Sequence, residues 1–126
     1  MQKPIQYKLN KPLYIKKNDK RYKEYTRQLK EHGFSDTETW NLDYLLVSFI
    51  IPRLKRFRDI TPCYPNDLTP EKWKKIIDKM IFSFQFVLDE EDLQTRWASS
   101  KKIDKDYKKY EEGMNLFVKY FRGLWW

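Results

Sequence analysis

Apolar side chains recur every three or four positions through much of the chain, which is the spacing that lines one face of an α-helix. In the clearest run they form a single stripe: Trp73, Ile76, Ile77, Met80, Ile81, Phe84, Val87 and Leu88. Thr69 and Pro70 stand just before it, and these residue types are favoured at an N-cap and at the first helical position. The pattern predicts a helix that begins at residue 70 and packs on a core along this stripe.

A second stripe follows towards the end of the chain. Its members are Ile103, Tyr107, Tyr110, Met114, Phe117, Val118, Phe121, Leu124 and Trp125. The spacing predicts a last helix from about residue 103, in which Gly113 allows close packing and Trp125 completes the core. Trp126 is one step out of phase, so it is either a lid over the core or part of an interface.

The most apolar helix is predicted ahead of these two. Ser35 followed by Glu38 is a capping box, which marks a helix start. Apolar residues then cover most of the helix surface: Trp40, Leu42, Leu45, Leu46, Val47, Phe49, Ile50, Ile51, Leu54 and Phe57. Pro52 lacks a backbone donor and clashes with the carbonyl of Ser48, so we expect a kink or break near residues 48–52.

Residues 20–32 predict a shorter helix, with Tyr22, Tyr25 and Leu29 on one face. Gly33 follows, and glycine is the residue that most often ends a helix.

Residues 1–19 contain Pro4 and Pro12 and alternate only weakly, which predicts an extended arm. The predicted fold is therefore all-α. It is a small helical bundle of three long helices, the second kinked at Pro52, plus a short basic N-terminal helix and the arm.

The formal net charge of +8 is concentrated at the start of the chain. Residues 1–34 carry ten Lys and Arg against three Asp and Glu, whereas residues 35–126 carry sixteen against fifteen. This shift in composition divides the chain into a basic arm with its short helix, residues 1–32, and a helical core domain, residues 33–126.

Composition argues against several kinds of chemistry. One cysteine, Cys63, cannot form a disulfide within the chain, and a single histidine, His32, leaves too few ligands for zinc. The three glycines are isolated, so there is no phosphate-binding loop. Carboxylate pairs such as Glu111 and Glu112 are flanked by lysines, which is typical of solvated helix faces. We therefore expect no enzymatic activity, no cofactor and no metal.

No apolar stretch approaches the roughly 18 residues of a membrane span. The chain begins without an apolar signal region. These features predict a cytosolic protein without a membrane partner.

Six segments, in order over residues 33–126, carry a resemblance to a known family: "GFSD", "WNLDYLL", "IPRLKRF", "YPNDLTPEKW", "DKMIFSF" and "EEGMNLFVKYFRGLWW". In these segments the chain resembles a family of small, uncharacterised proteins encoded in tailed-bacteriophage genomes. The resemblance implies a phage protein expressed in the host bacterial cytoplasm, and it carries over no catalytic residues. Residues 1–32 lie outside it.

The first functional hypothesis is a non-enzymatic accessory protein that binds a host protein, for host takeover or to inhibit a defence factor. Aromatic residues beyond those that one core buries easily include Phe82, Phe86, Trp97 and Trp126, and aromatics are enriched at interface hot spots. The predicted partner-binding residues are Trp40, Asn41, Asp43, Phe82, Phe86 and Trp126. A homodimer formed through the same aromatics stays open.

The alternative is a nucleic-acid-binding accessory protein, because lysines and arginines interleaved with tyrosines suit phosphates and bases. Its predicted contacts are Lys16, Lys17, Lys20, Arg21, Arg27, Arg53 and Arg56. A minor virion component is the third hypothesis.

Overall fold

The computed structural model of the chain describes residues 9–95 and 100–126. Over these residues the protein is all-helical, without a β-strand, which confirms the predicted class. Its α-helices are α1 (Tyr22–His32), α2 (Leu42–Ile60), α3 (Pro70–Thr95) and α4 (Ser100–Tyr120), with 3₁₀ turns at Asp36–Thr39 and Phe121–Gly123. The first part of the predicted arm, residues 1–8, and Trp97 lie outside the described residues.

The chain divides into two compact units, Met1–Leu45 and Leu46–Trp126. The division lies within α2. In the first unit, side-chain hydrogen bonds tie α1 to the turn that follows it. The Gln28 amide donates to the Asp36 carboxylate at 3.0 Å and accepts from the Asp36 backbone N–H at 2.8 Å.

Two helix boundaries follow the expected signals. Gly33 takes the left-handed conformation with φ of 82°, and its N–H donates to the carbonyl of Leu29 to end α1. Helix α3 begins at Pro70, and the Thr69 hydroxyl accepts from the backbone N–H of Lys72 at 3.2 Å.

The capping box of Ser35 and Glu38 forms, but it does not start α2. It closes the 3₁₀ turn Asp36–Thr39, with the Ser35 N–H donating to the Glu38 carboxylate at 2.9 Å. Ser35, Thr37 and Glu38 are all buried. Helix α2 begins only at Leu42.

Of the kink or break expected near Pro52, the break is absent, since α2 runs without interruption from Leu42 to Ile60. Pro52 is exposed, whereas Val47, Ile51 and Leu54 on the same helix are buried in the core. Burial of this apolar face holds the helix together around the missing hydrogen bond.

The core of the second unit joins faces of α2 and α3. Its buried members are Val47, Ile51, Leu54, Trp73, Ile77, Met80, Ile81 and Phe84. Helix α4 closes it with half-buried aromatics: the rings of Phe84 and Phe117 meet at 5.0 Å, and those of Trp73 and Tyr120 at 5.6 Å. The stripe predicted for residues 73–88 is thus confirmed as a packing surface.

Helices α3 and α4 also make a close contact at Ser83, which is fully buried. Its hydroxyl donates to the carbonyl of Tyr110 at 2.8 Å and lies 3.2 Å from the carbonyl of Lys79. Gly113 faces this hydroxyl, as close packing at a helical glycine predicts.

The prediction that Trp125 completes the core is wrong. Trp125 is 69% exposed, while Leu124 packs against the core. Helix α4 ends at Tyr120, and the 3₁₀ turn Phe121–Gly123 has about three residues per turn instead of 3.6. This change of period rotates the last residues out of the phase that the stripe assumes.

Candidate functional site

Trp40 lies at the centre of a group of aromatic and cationic side chains in the first unit, here called the Trp40 cluster. Its members are Tyr14, Arg21, Tyr25 and Trp40. The Tyr14 ring stacks on Trp40 at 6.3 Å and 20°, and the Tyr25 ring meets Trp40 edge-on at 6.1 Å. The Arg21 guanidinium lies over Trp40 at 5.4 Å and over Tyr25 at 5.9 Å. Despite these contacts, Trp40 is 44% exposed and Tyr14 is 53% exposed.

Tyr14 holds an uncommon backbone conformation, with φ of 67°. An aromatic residue in the left-handed region costs on the order of 1–2 kcal/mol. Such residues persist when their surroundings enforce them, and they concentrate at functional positions. Stacking on Trp40 supplies one such constraint in this structure.

Arg21 is held in place by Asp19. The Asp19 carboxylate accepts from the Arg21 Nε at 3.1 Å, from a terminal guanidinium nitrogen at 3.0 Å and from the Arg21 backbone N–H at 2.9 Å. These hydrogen bonds lower the pKa of the Asp19 carboxyl to about 2 and raise the pKa of Arg21. The guanidinium that covers Trp40 is therefore pre-oriented by two bonds in a fork geometry.

Asn41 and Asp43, predicted as contacts beside Trp40, are both exposed at the start of α2. The carbonyl of Asn41 accepts from the N–H of Leu45 at 3.0 Å, so this residue caps the helix with its backbone. Both side chains are exposed to solvent, and both residues lie within three positions of Trp40 in the sequence.

The other predicted contact residues do not form one surface. Phe86 stacks on Tyr110 at 5.1 Å and is half-buried between α3 and α4. Trp126 is 62% exposed and follows Gly123, whose position lies beside Trp73. Thirteen residues of α3 separate Trp73 from Phe86, about 20 Å along the helix. Phe86 therefore lies well away from Gly123 at the end of the chain.

Phe82, in contrast to Phe86, stays at the surface. The ammonium of Lys109 lies 5.6 Å from the centre of its ring. Phe82 is thus covered on one side by a residue of its own chain.

The arginines predicted to contact phosphates are mostly engaged within the chain. Arg21 pairs with Asp19, and Arg27 pairs with both Glu24 and Glu31. The Arg53 guanidinium donates to the carbonyl of Phe49 at 2.8 Å and lies over the Phe49 ring at 3.8 Å. Exposed members of the predicted set that form no ion pair with another described residue are Lys16, Lys17, Lys20 and Arg56.

The structure adds an open groove of about 630 Å³ along the end of the arm, which sequence reasoning missed. We call it the arm groove, and its lining residues are Lys11, Pro12, Leu13, Tyr14, Ile15, Lys16, Lys17 and Tyr22. Tyr14 belongs both to this groove and to the Trp40 cluster. The signal available in the sequence was the mixture of lysines and apolar residues over residues 11–17.

Within the described part of the chain, no three His, Cys, Asp or Glu side chains come together as a potential metal site. Cys63 is exposed. Among the described helices, none combines the length and apolarity needed to cross a membrane.

Comparison with known proteins found no match to a family model, to a curated protein or to a solved structure.

Proposed function

We propose that this chain is a non-enzymatic accessory protein of a tailed bacteriophage, which binds a host protein in the bacterial cytoplasm through the Trp40 cluster. Binding would redirect or block a host enzyme or defence factor. The proposal includes a bundle of three long helices plus the short basic helix and arm, and this N-terminal part contributes Tyr14, Arg21 and Tyr25 to the contact surface around Trp40.

The observation that carries this proposal is an exposed Trp stacked with an exposed Tyr under a fixed Arg. Tryptophan, tyrosine and arginine are the residue types most enriched at interface hot spots. Ring stacking, the cation–π contact of Arg21 and the Asp19–Arg21 bonds hold these side chains in place before a partner binds. Less conformational entropy is then lost on binding, which favours affinity.

The same contacts make the cluster less suited to nucleic acid. Bases stack on open ring faces, but Trp40 already has Tyr14 and Arg21 against it. Phosphate contacts use cations that release counterions, and Arg21 and Arg27 are already paired with carboxylates. A protein partner that packs on the outer edge of the cluster needs neither an open face of the Trp40 ring nor an unpaired arginine.

The test is affinity capture from a nuclease-treated lysate of the host bacterium, using the tagged full chain and its Trp40→Ala and Trp126→Ala variants. Both tryptophans are exposed, but only Trp40 belongs to the cluster. We expect the wild type and Trp126→Ala to retain the same host protein. The amount retained by Trp40→Ala should be lower by about tenfold or more. Circular dichroism checks that the variants are folded.

Equal capture by the Trp40→Ala variant would exclude the cluster as the contact surface. Recovery of the tagged chain alone would reject a host protein partner.

A further inference from the structure

We propose that the arm groove binds a linear, acidic segment of the partner protein. This inference rests on the proposed function, because the groove shares Tyr14 with the Trp40 cluster. A partner held at Trp40 would place a neighbouring stretch of its own chain in the groove.

The lining of the groove combines apolar surface with positive charge. Leu13 and Ile15 supply aliphatic contacts alongside the buried Pro12, and Tyr14 and Tyr22 supply aromatic rings. Apolar lining with a few charged groups at its edge is the usual composition of a site that takes side chains of a ligand.

The positive charge of the lining favours an anionic occupant. Lys11, Lys16 and Lys17 line the groove, and no Asp or Glu is among its lining residues. The acidic residue closest in sequence, Asp19, is bound to the Arg21 guanidinium and backbone and does not neutralise these lysines. The ammonium groups form no ion pair with another described residue. Carboxylates on the partner would complement them and steer its approach.

Most of the lining is one continuous stretch of chain, which bends at Leu13 and Tyr14, and a single linear segment of a partner can follow it. Seven consecutive residues, 11–17, form this stretch, and all of them lie outside the α-helices. An extended chain spans at most about 3.6 Å per residue, so this lining is at most about 25 Å long. A partner segment of similar length can place carboxylates at the lysines and apolar side chains between them.

An oligonucleotide could meet the same lysines and stack bases on Tyr14 and Tyr22, but Leu13 and Ile15, which lie between the lysines, offer aliphatic surface that bases do not use for stacking. The aliphatic part of the lining therefore favours a polypeptide. Binding of a nucleic acid is one of the outcomes that the test distinguishes.

The experiment titrates the ¹⁵N-labelled full chain with three probes and follows the backbone amides by NMR. The probes are a random copolymer of glutamate and tyrosine, poly-L-glutamate, and single-stranded oligothymidylate. The test variant is Lys16→Glu with Lys17→Glu. The matched control is Lys74→Glu with Lys75→Glu, another adjacent exposed pair in the second unit.

We expect the copolymer to shift the amides of residues 11–17 and to bind more tightly than poly-L-glutamate. Its affinity should fall about tenfold or more in the Lys16/Lys17 variant and stay unchanged in the Lys74/Lys75 variant. Oligothymidylate that binds these amides more tightly than the copolymer would overturn the proposal in favour of nucleic acid. Shifts that miss residues 11–17, or equal losses in both variants, would also overturn it.

Failure here is distinguishable from failure of the proposed function. If the copolymer does not bind while lysate capture still depends on Trp40, the groove inference is wrong and the host-protein proposal stands. If the wild type captures no host protein, the proposed function itself is rejected.

Discussion

A Cβ added to Gly113 would lie 1.8 Å from the Oγ of Ser83, so the contact between α4 and α3 admits no side chain at residue 113. The carbonyl of Lys79 would be 2.2 Å from the same Cβ. Because that carbonyl is backbone, it cannot rotate away as a flexible side chain would. Glycine here permits the hydrogen bond from Ser83 to Tyr110 that joins the two helices.

Gly113→Ala should destabilise the protein by about 1–3 kcal/mol, the usual cost of forcing extra volume into a packed interior. Alanine favours a helix by about 1 kcal/mol over glycine, so an isolated helix would show the opposite sign. The free energy of unfolding in urea, followed by circular dichroism, measures the change.

Gly123→Ala is the matched control for this substitution. A Cβ at residue 123 would meet Pro65 at 3.7 Å and Trp73 at 3.8 Å, which are ordinary van der Waals contacts. We expect a change within about 0.5 kcal/mol. A Gly113→Ala protein as stable as this control would show that the helices separate at little cost.

The end of the chain should matter through Leu124 and not through the two tryptophans. Deleting Trp125 and Trp126, which are largely exposed, should change the free energy of unfolding by about 0.5 kcal/mol or less. Deleting Leu124 as well removes a side chain that packs on the core and should cost about 1–2 kcal/mol more. Thermal and urea unfolding of the two truncations compare these effects, and equal stabilities would refute the role of Leu124.

The bond between Asp19 and Arg21 should be visible as a pH effect at the acid end. The pKa of Asp19 is lowered from an ordinary 3.8 to about 2, first by hydrogen bonds from the Arg21 side chain and then from its backbone. A carboxyl with a depressed folded-state pKa adds stability above its unfolded-state pKa, and that contribution is lost as the pH falls through the folded value. The Trp40 cluster should thus loosen between about pH 4 and pH 2.

NMR titration of the Asp19 carboxyl carbon tests this directly, and its midpoint should lie near 2. Arg21→Gln removes the guanidinium and should move the midpoint up towards 3.8. Arg56→Gln, an exposed arginine of the second unit, is the control and should leave it unchanged. A wild-type midpoint near the ordinary value would mean that the Asp19–Arg21 bond does not persist in solution.

Local patterns predicted the helices well where each helix has one dominant apolar face. The α3 stripe and the Thr69–Pro70 start are of this kind, because spacing and capping act over a few residues. The capping box at Ser35 shows the limit of such signals. A capping box marks where a helical turn begins, but the same hydrogen bonds form at the start of a 3₁₀ turn and of an α-helix, so it does not predict which of the two follows.

The Trp40 cluster could be predicted only in part. Periodicity assigned Trp40 to the apolar face of α2. Spacing along the chain carries no information on the contact with Tyr14 of the arm, whose ring stacks on Trp40. Arg21 appeared as a phosphate contact, although Asp19 two residues earlier offered a partner at short range. Contacts between distant segments depend on tertiary packing, and no local rule in a single sequence encodes them.

Pro52→Ala should stabilise the protein by about 2–2.6 kcal/mol. Proline inside a helix costs about 3 kcal/mol, which alanine removes. The unfolded state of the alanine variant is more flexible, and this offsets about 0.4–1 kcal/mol of the gain in stability. Residue 52 is exposed and α2 is continuous around it, so alanine fits and its N–H can donate to the carbonyl of Ser48. Pro70→Ala is the control, because proline suits the first position of α3 and its loss should bring no gain. If urea unfolding shows no rise in stability for Pro52→Ala, then α2 has already adjusted its geometry to the proline, and the buried face of Val47, Ile51 and Leu54 sets the course of the helix.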